Sequence, residues 1–322
     1  MKTIGLITSG GDSPGMNAAV RSVVRSSSYN GLIVKAASRG YQGVLDNDIR
    51  ELDSDSVSGI IQRGGTILKT ARCKEFHTAE GREKAATVLK SHEIDALIVI
   101  GGDGSFRGAD LLSNEHQMPV IGIPATIDND LAGTDETIGY DTALNTAMVA
   151  IDKIRDTADA HDRLFLVEVM GRDVGFIALE TGISIGAELI LLPEAQTKTE
   201  EVISSLKSIL KEQIRSSIVV VAEGNGTGGA WNLADQIKDD FSKYDMKVCI
   251  LGHIQRGGTP TARDRVLASQ LGHAAVKAAI EGHTSVMVGV VNNQIKLSPL
   301  KMASSKKKDI DYDTLELSKI LQ

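Results

Sequence analysis

Aromatic residues make up only 3% of this 322-residue chain, proline occurs 6 times and cysteine twice. Cys73 and Cys249 have no C-x-x-C or zinc-ligand spacing, which excludes a disulfide scaffold and points to a reducing compartment. No apolar run reaches the roughly 18–20 residues that crossing a bilayer needs. The first residues lead into a strand pattern without a signal-peptide core, so a cytoplasmic protein is expected. A basic excess is also missing: 35 Lys and Arg stand against 42 Asp and Glu, a formal charge of -7. That excludes a general nucleic-acid binder, which needs cations to neutralise phosphates. There is no GxxxxGK[ST], hence no P-loop NTPase, and no internal repeat.

What the chain does have is glycine (32) and short apolar runs, with 42% hydrophobic residues overall. A chain of this length hides roughly 75% of its unfolded surface, enough for two cores. Strand-like runs occur at 4–8, 32–36, 94–100, 120–123, 164–169, 189–192, 218–222, 248–251 and 286–290. Most are continuous rather than alternating, as parallel strands buried on both faces are. Helical patterns lie between them, as at 81–92, 140–160, 199–213 and 261–281. This rhythm predicts two doubly wound α/β domains, each with a mainly parallel central sheet and flanking helices. The stretch 139–163 and the turn 252–258 are candidate crossings between them. Lys306-Lys307-Lys308, the one charge run, reads as a solvated tail or helix end.

Three turns follow apolar strands and read as opening helices: TSGGDSPGMN at 8–17, GGDGS at 101–105 and PATIDND at 124–130. In an open parallel sheet, ligands bind at the carboxyl ends of strands. Paired glycines let backbone N–H groups approach a phosphate, although tight turns need glycine for their own geometry too. Two such turns, each with an aspartate beside the glycines, favour phosphate binding. Asp103 is then a natural Mg²⁺ ligand. Asp128 and Asp130 read either as a carboxylate base facing a sugar hydroxyl or as an Asx-turn capping the next helix. Alternation would point both side chains to one side. Arg172, His253 and Arg256 each stand in a turn after an apolar strand. Together they suggest an anionic group bound opposite a nucleotide.

SGGDSPGMNAA at 9–19, GGDGS at 101–105, TIDND at 126–130, VEVMGR at 167–172 and LGHIQRGG at 251–258 resemble the bacterial ATP-dependent 6-phosphofructokinases, in order and at similar spacing over nearly the whole chain. The resemblance implies a glycolytic homotetramer that transfers a phosphoryl group from Mg-ATP to the C1 hydroxyl of fructose 6-phosphate. It implies an ATP-binding domain at 1–139 plus 252–303 and a sugar-phosphate domain at 140–251 plus 304–322. Gly11, Tyr41, Arg72, Cys73, Gly102, Asp103, Gly104, Ser105 and Gly108 are the implied ATP set, with Asp103 on Mg²⁺. Asp128 is the implied base, with Thr126, Asp130 and Arg172 also catalytic. Ile127, Met170, Gly171, Arg172 and Glu223 are implied to hold the sugar, and His253 and Arg256 its 6-phosphate. Arg163 and Lys247 are implied to reach that phosphate from a neighbouring subunit. Arg21, Arg25, Arg155 and Glu188 match the family's effector pocket.

The chain departs from the family pattern at several places. Ala125 stands where ATP users have Gly, whereas pyrophosphate users have Lys there and Asp in place of Gly104. Gly104 therefore favours ATP over the alternative, a pyrophosphate-dependent enzyme on the same scaffold. A catalytically silent nucleotide-sensing subunit is disfavoured by Asp103, Asp128 and Arg172. An NAD-dependent oxidoreductase is disfavoured by the missing GxGxxG. Lys247 replaces Arg, which substitutes a point charge for a planar fork. Ser54, Gly59, Glu212 and Ile214 replace an arginine, an aspartate and two lysines in the effector pocket, so a weak allosteric response is expected. His77 replaces an arginine near the active-site loop.

Overall fold

The computed structural model describes residues 1–159, 163–195, 197–211 and 217–321. Its strands are β1 (Thr3–Thr8), β2 (Ile33–Ala37), β3 (Ile49–Leu52), β4 (Ala96–Gly101), β5 (Val120–Pro124), β6 (Leu164–Val169), β7 (Leu189–Leu191), β8 (Ser217–Ala222), β9 (Met246–Ile250), β10 (Val286–Val291) and β11 (Gln294–Pro299). All nine apolar runs are strands. The two extra strands, β3 and β11, are the antiparallel outer strands of one sheet. Most of their residues are exposed, and polar residues interrupt the apolar ones, as in Gln294–Pro299, so no apolar run marks them.

The chain divides into two compact units: Met1–Thr142 with Arg256–Lys308, and Ala143–Gln255 with Asp309–Gln322. The first holds a seven-stranded sheet in the order β11-β10-β5-β4-β1-β2-β3. Its inner strands are parallel, and every residue of β1 and β4 is buried. Alternate residues face opposite cores. Ile4, Leu6, Ile98 and Ile100 pack with helices Met16–Tyr29 and Ala262–Ile280. Ile7, Leu97 and Val99 pack with helices Ala79–Ser91 and Asp103–His116. Each such side chain contributes about 1.5–3 kcal/mol of burial, and helices on both faces explain the continuous apolar runs.

The second unit holds a four-stranded sheet, β7-β8-β6-β9, parallel throughout. Leu164, Leu166, Val219 and Val221 pack there against Val202 and Leu206 of helix Thr199–Lys211 and Leu233 of helix Ala230–Ile237. Among the described residues, no helix is long and apolar enough to cross a membrane.

The turn after β5 corrects one expectation, because it opens no helix directly. The next helix, Tyr140–Asp159, starts well beyond Asp130. The Lys306–308 run is the helix end of the two readings, with Lys306 and Lys307 exposed. It ends helix Leu300–Ser305, Lys307 bridges Leu131, and Lys308 N–H donates to the Asp130 carbonyl at 3.0 Å.

Candidate active site

In the seven-stranded sheet the chain leaves β1 towards β2 and leaves β4 towards β5, on opposite sides. The crevice outside the carboxyl ends of β1 and β4 is therefore the topological switch point, where such sheets bind ligands. The register pairs Thr8 with Ile100 and Gly101 with Pro124, so the three turns begin side by side. The β1 turn leads into helix Met16–Tyr29 and the β4 turn into helix Asp103–His116. Two helix N-termini thus offer N–H groups and partial positive charge at adjacent strand ends.

The fold itself requires some of these glycines and not others. Gly10 has φ +87°, a region that disfavours side chains, and a Cβ on Gly101 would meet the Ser9 carbonyl at 2.5 Å. Gly104 is different: it has an ordinary helical conformation, and a Cβ there would meet nothing within 4 Å. A Cβ on Gly102 would make only ordinary contact, 3.6 Å from Thr126. Folding explains neither glycine, and Gly104 leaves open space over the helix N-terminus. Asp103 stands in the first helical turn beside this space, 37% exposed, with Arg107 at 3.9 Å.

Tyr41 lies beneath the turn. It is 5% exposed, its ring stacks on Phe76 at 3.8 Å, and its hydroxyl donates to the Ser105 carbonyl at 2.7 Å. Burial pushes the phenol far above its ordinary pKa. A Cβ on Gly108 would strike the Phe76 ring at 2.9 Å, so Gly108 lets the helix sit on this stack. Ser105 is buried, with its hydroxyl oxygen 3.1 Å from where a Cβ on Gly10 would stand. Cys73 is half-buried against the same cluster, and burial followed by the nearby Glu75 and Asp46 charges pushes its thiol up. Arg72 is exposed. The exposed His77 lends its carbonyl to buried Arg82 at 2.9 Å.

The loop after β5 is fixed by its own polar atoms. Asp128 N–H donates to the Thr126 hydroxyl at 3.2 Å, and the Thr137 hydroxyl donates to the Thr126 carbonyl at 2.6 Å. Ile127 and Asp128 are buried, while Asp130 is half-buried. Asn129 takes φ 53°, so the segment is not extended. Strand alternation therefore does not decide where Asp128 and Asp130 point. The Asx-cap reading fails, since no helix begins here. Ala125 is buried and donates its N–H to the Gly101 carbonyl at 2.9 Å.

The basic residues are divided between the two units. Arg256 lies beside the β1 turn: its guanidinium donates to the Asp12 carbonyl at 3.5 Å, and a Cβ on Gly11 would meet it at 2.7 Å. His253 is on the same 3₁₀ turn, Gly252–Arg256, but is counted with the second unit. In that unit Arg172 has a left-handed backbone (φ 56°), follows Gly171 at φ +146°, and its N–H donates to Glu223 at 3.2 Å. Such strain in a non-glycine residue gathers at functional sites. Met170 is half-buried beside them. Arg163 and Lys247 come together through Asp245, which each meets at 2.7 Å. Lys247 and then Arg163 hold the Asp245 carboxyl below its usual range.

Arg21 and Arg25 lie one turn apart on helix Met16–Tyr29 of the first unit. Arg155 and Glu188, in the second, pair at 3.3 Å, and Arg155 also donates to the Ile185 and Gly186 carbonyls, both at 3.0 Å. Glu188 in turn accepts from Ile218 N–H at 2.6 Å. A Cβ on Gly59 would meet open space, and Ser54 is half-buried. Glu212 and Ile214 lie outside the described residues.

Two supports escape a reading by strands and glycine turns. Thr137 fixes the acidic loop, and Asp264, 1% exposed, binds the backbone where that loop ends. The visible signal for Asp264 is the spacing of Thr261 and Asp264 before an apolar helix, which reads as an ordinary helix cap.

Comparison with known proteins identifies the family. The phosphofructokinase family model matches residues 3–279. The chain is 53% identical over 321 residues to the ATP-dependent 6-phosphofructokinase 2 of Bacteroides thetaiotaomicron, covering 100% of this chain and 98% of that one. Identity to the ATP-dependent 6-phosphofructokinase 1 of Thermus thermophilus is also 53%, over 100% and 99%. The solved phosphofructokinase of Saccharomyces cerevisiae superposes with a TM-score of 0.86 at 38% identity, covering 99% of this chain and 46% of that longer one. With matches over 321 of its 322 residues and a sheet whose glycine turns sit at its switch point, this chain belongs to the phosphofructokinase family.

Proposed function

We propose that this chain is an ATP-dependent 6-phosphofructokinase, forming fructose 1,6-bisphosphate and ADP from fructose 6-phosphate and ATP. The observation that carries the choice of donor is the open space at Gly104, set over a helix N-terminus and beside Asp103. An aspartate there would place a second carboxylate against a nucleotide's phosphates. The relatives at 53% identity are named as ATP-dependent enzymes.

The proposed roles follow the chemistry of phosphoryl transfer, which is mostly positioning and charge stabilisation. Gly11, Gly102, Gly104 and Ser105 line the nucleotide turns, with Gly108 and Tyr41 supporting them and Arg72 and Cys73 at the rim. Asp103 is the proposed Mg²⁺ ligand. Its fit rests on a partly exposed carboxylate beside open space. Mg²⁺ characteristically takes one or two carboxylates and completes its shell with substrate phosphates and water, which it neutralises when bound. Asp128 accepts the C1 hydroxyl proton, with Thr126, Ile127 and Asp130 positioning the reacting groups. Arg172, Met170, Gly171 and Glu223 hold the sugar, and His253 and Arg256 its phosphate. Arg163 and Lys247, drawn together by Asp245, serve a neighbouring subunit's site in a homotetramer. The setting is cytoplasmic glycolysis.

The test is a coupled turnover assay with ATP, GTP or pyrophosphate as donor. The reading expects ATP to support turnover and pyrophosphate to fail. Turnover with pyrophosphate alone overturns it.

A further inference from the structure

Asp264 is a buried carboxylate that the proposed mechanism leaves unused. It stands in the first turn of helix Ala262–Ile280, three residues after the N-cap Thr261, whose hydroxyl accepts from Asp264 N–H at 3.3 Å. In an ordinary capping box the acidic side chain would turn back to the N-cap N–H. Here that N–H donates to the Thr142 hydroxyl at 3.0 Å instead. The Asp264 carboxylate is thereby released to another helix. One oxygen accepts from Gly139 N–H at 2.7 Å, and the other accepts from Thr142 N–H at 2.8 Å and the Thr142 hydroxyl at 2.5 Å. The start of helix Tyr140–Asp159 is thus capped by a residue more than a hundred positions away. Among the described residues no cation forms an ion pair with Asp264: Arg263 pairs with Glu136, and Arg265 donates to the Pro260 carbonyl. Its charge is balanced by N–H donors and two helix N-termini.

The backbone it grips lies between the two ligand turns. Gly139 packs on the β1 turn, where an added Cβ would strike the Ser13 Cβ at 2.5 Å. Ile138 bridges Ala125 and donates its N–H to the Pro124 carbonyl at 3.0 Å, which fixes the start of the acidic loop. A Cβ on Gly15 would meet Ile138 at 2.7 Å and the Asp264 Cβ at 3.6 Å.

We propose that Asp264 is a positioning residue, setting through Ile138–Gly139 the spacing between the nucleotide turn 9–15 and the acidic loop 126–130. The proposal rests on the functional reading above. Phosphoryl transfer tolerates little misplacement, since a shift of 1 Å can cost about 10²-fold.

The experiment compares the full chain with Asp264→Asn, which turns amide hydrogens toward the Thr142 donors, and with Thr142→Val and Thr142→Ser. Asp264→Asn is expected to raise the KM for ATP about tenfold, as losing a charge-assisted bond does, and to leave that for fructose 6-phosphate within twofold. A merely destabilised protein loses active fraction without changing either KM. Thr142→Val is expected to move the ATP value the same way by a smaller factor, and Thr142→Ser to restore it. Amide hydrogen exchange, read without substrates, is expected to quicken in both 9–17 and 139–142. Unchanged KM for ATP in Asp264→Asn and Thr142→Val overturns the proposal, as does faster exchange confined to 139–142. If Asp264→Asn does not fold, the Thr142 pair carries the same test. A wild-type chain without ATP turnover defeats the functional reading instead, and the exchange pattern then decides the clamp by itself.

Discussion

Replacing Gly104 with aspartate separates the fold's needs from the ligand's. The position is exposed, its backbone is helical, and the new Cβ meets nothing within 4 Å, so no strain is introduced. Removing glycine from the first turn of helix Asp103–His116 stabilises by up to about 1 kcal/mol. An acidic side chain at a helix N-terminus adds about 0.3–1 kcal/mol. The melting temperature of Gly104→Asp is therefore expected to equal or exceed wild type. Nucleotide use should suffer in proportion to charge repulsion. Two like charges about 4 Å apart repel by about 1 kcal/mol in water and about 4 kcal/mol at the effective dielectric of a protein surface. That range corresponds to a rise of about fivefold to a thousandfold in the KM for ATP. Gly104→Ala is the control, adding the Cβ without the charge. The assay is steady-state turnover at varied ATP with fructose 6-phosphate saturating, alongside thermal unfolding. A KM for Gly104→Asp within twofold of Gly104→Ala would refute the placement of phosphates over this helix end.

Further perturbations probe the other parts. Asp128→Asn keeps the shape but cannot accept a proton, so kcat is expected to fall about 10²–10⁴-fold; a kcat within threefold of wild type removes Asp128 from the chemistry. Lys247→Arg supplies a fork able to serve Asp245 and a phosphate together, and is expected to lower the half-saturating fructose 6-phosphate about fivefold, near one typical hydrogen bond; a rise means Lys247 does not face the phosphate. Millimolar ADP or phosphoenolpyruvate is expected to shift that concentration less than about fivefold, because Arg155 already spends its donors on Glu188, Ile185 and Gly186; a larger shift, in the usual allosteric range, contradicts this. Burial raises the Asp264 carboxyl from 3.8 to about 6, its hydrogen bonds only partly opposing that. Between those values the folded chain keeps a proton that the unfolded chain has lost, so stability falls as pH rises through the window, by at most about 1.4 kcal/mol per pH unit. Denaturant unfolding from pH 4 to 7 should show this component in wild type and not in Asp264→Asn; identical pH dependence in both contradicts it.

Much of this architecture is legible in the sequence because parallel strands buried on both faces leave continuous apolar runs, as Ala96–Gly101 does. Helix limits were visible where local chemistry sets them, as at the Thr261 cap. The outer strands β3 and β11 were not, because solvent on their exposed residues removes the apolar signal. The glycine turns announced a ligand site but could not say which glycines the backbone itself demands; Gly10 and Gly104 look alike in one dimension and differ only through what surrounds them. Nothing local announces that the Arg256 guanidinium reaches back 244 positions to Asp12. Asp264 shows the same limit, since its spacing from Thr261 specifies a local cap and the fold diverts the carboxylate elsewhere.

Phosphorus NMR of a reaction holding the protein, fructose 6-phosphate, Mg²⁺ and ATP tests the central claim most directly. The ATP γ-phosphate signal is expected to disappear, with matching growth of ADP and of a phosphate ester on C1 of the sugar. Release of inorganic phosphate from ATP without a sugar bisphosphate, or a sugar bisphosphate formed from pyrophosphate and not from ATP, would contradict it.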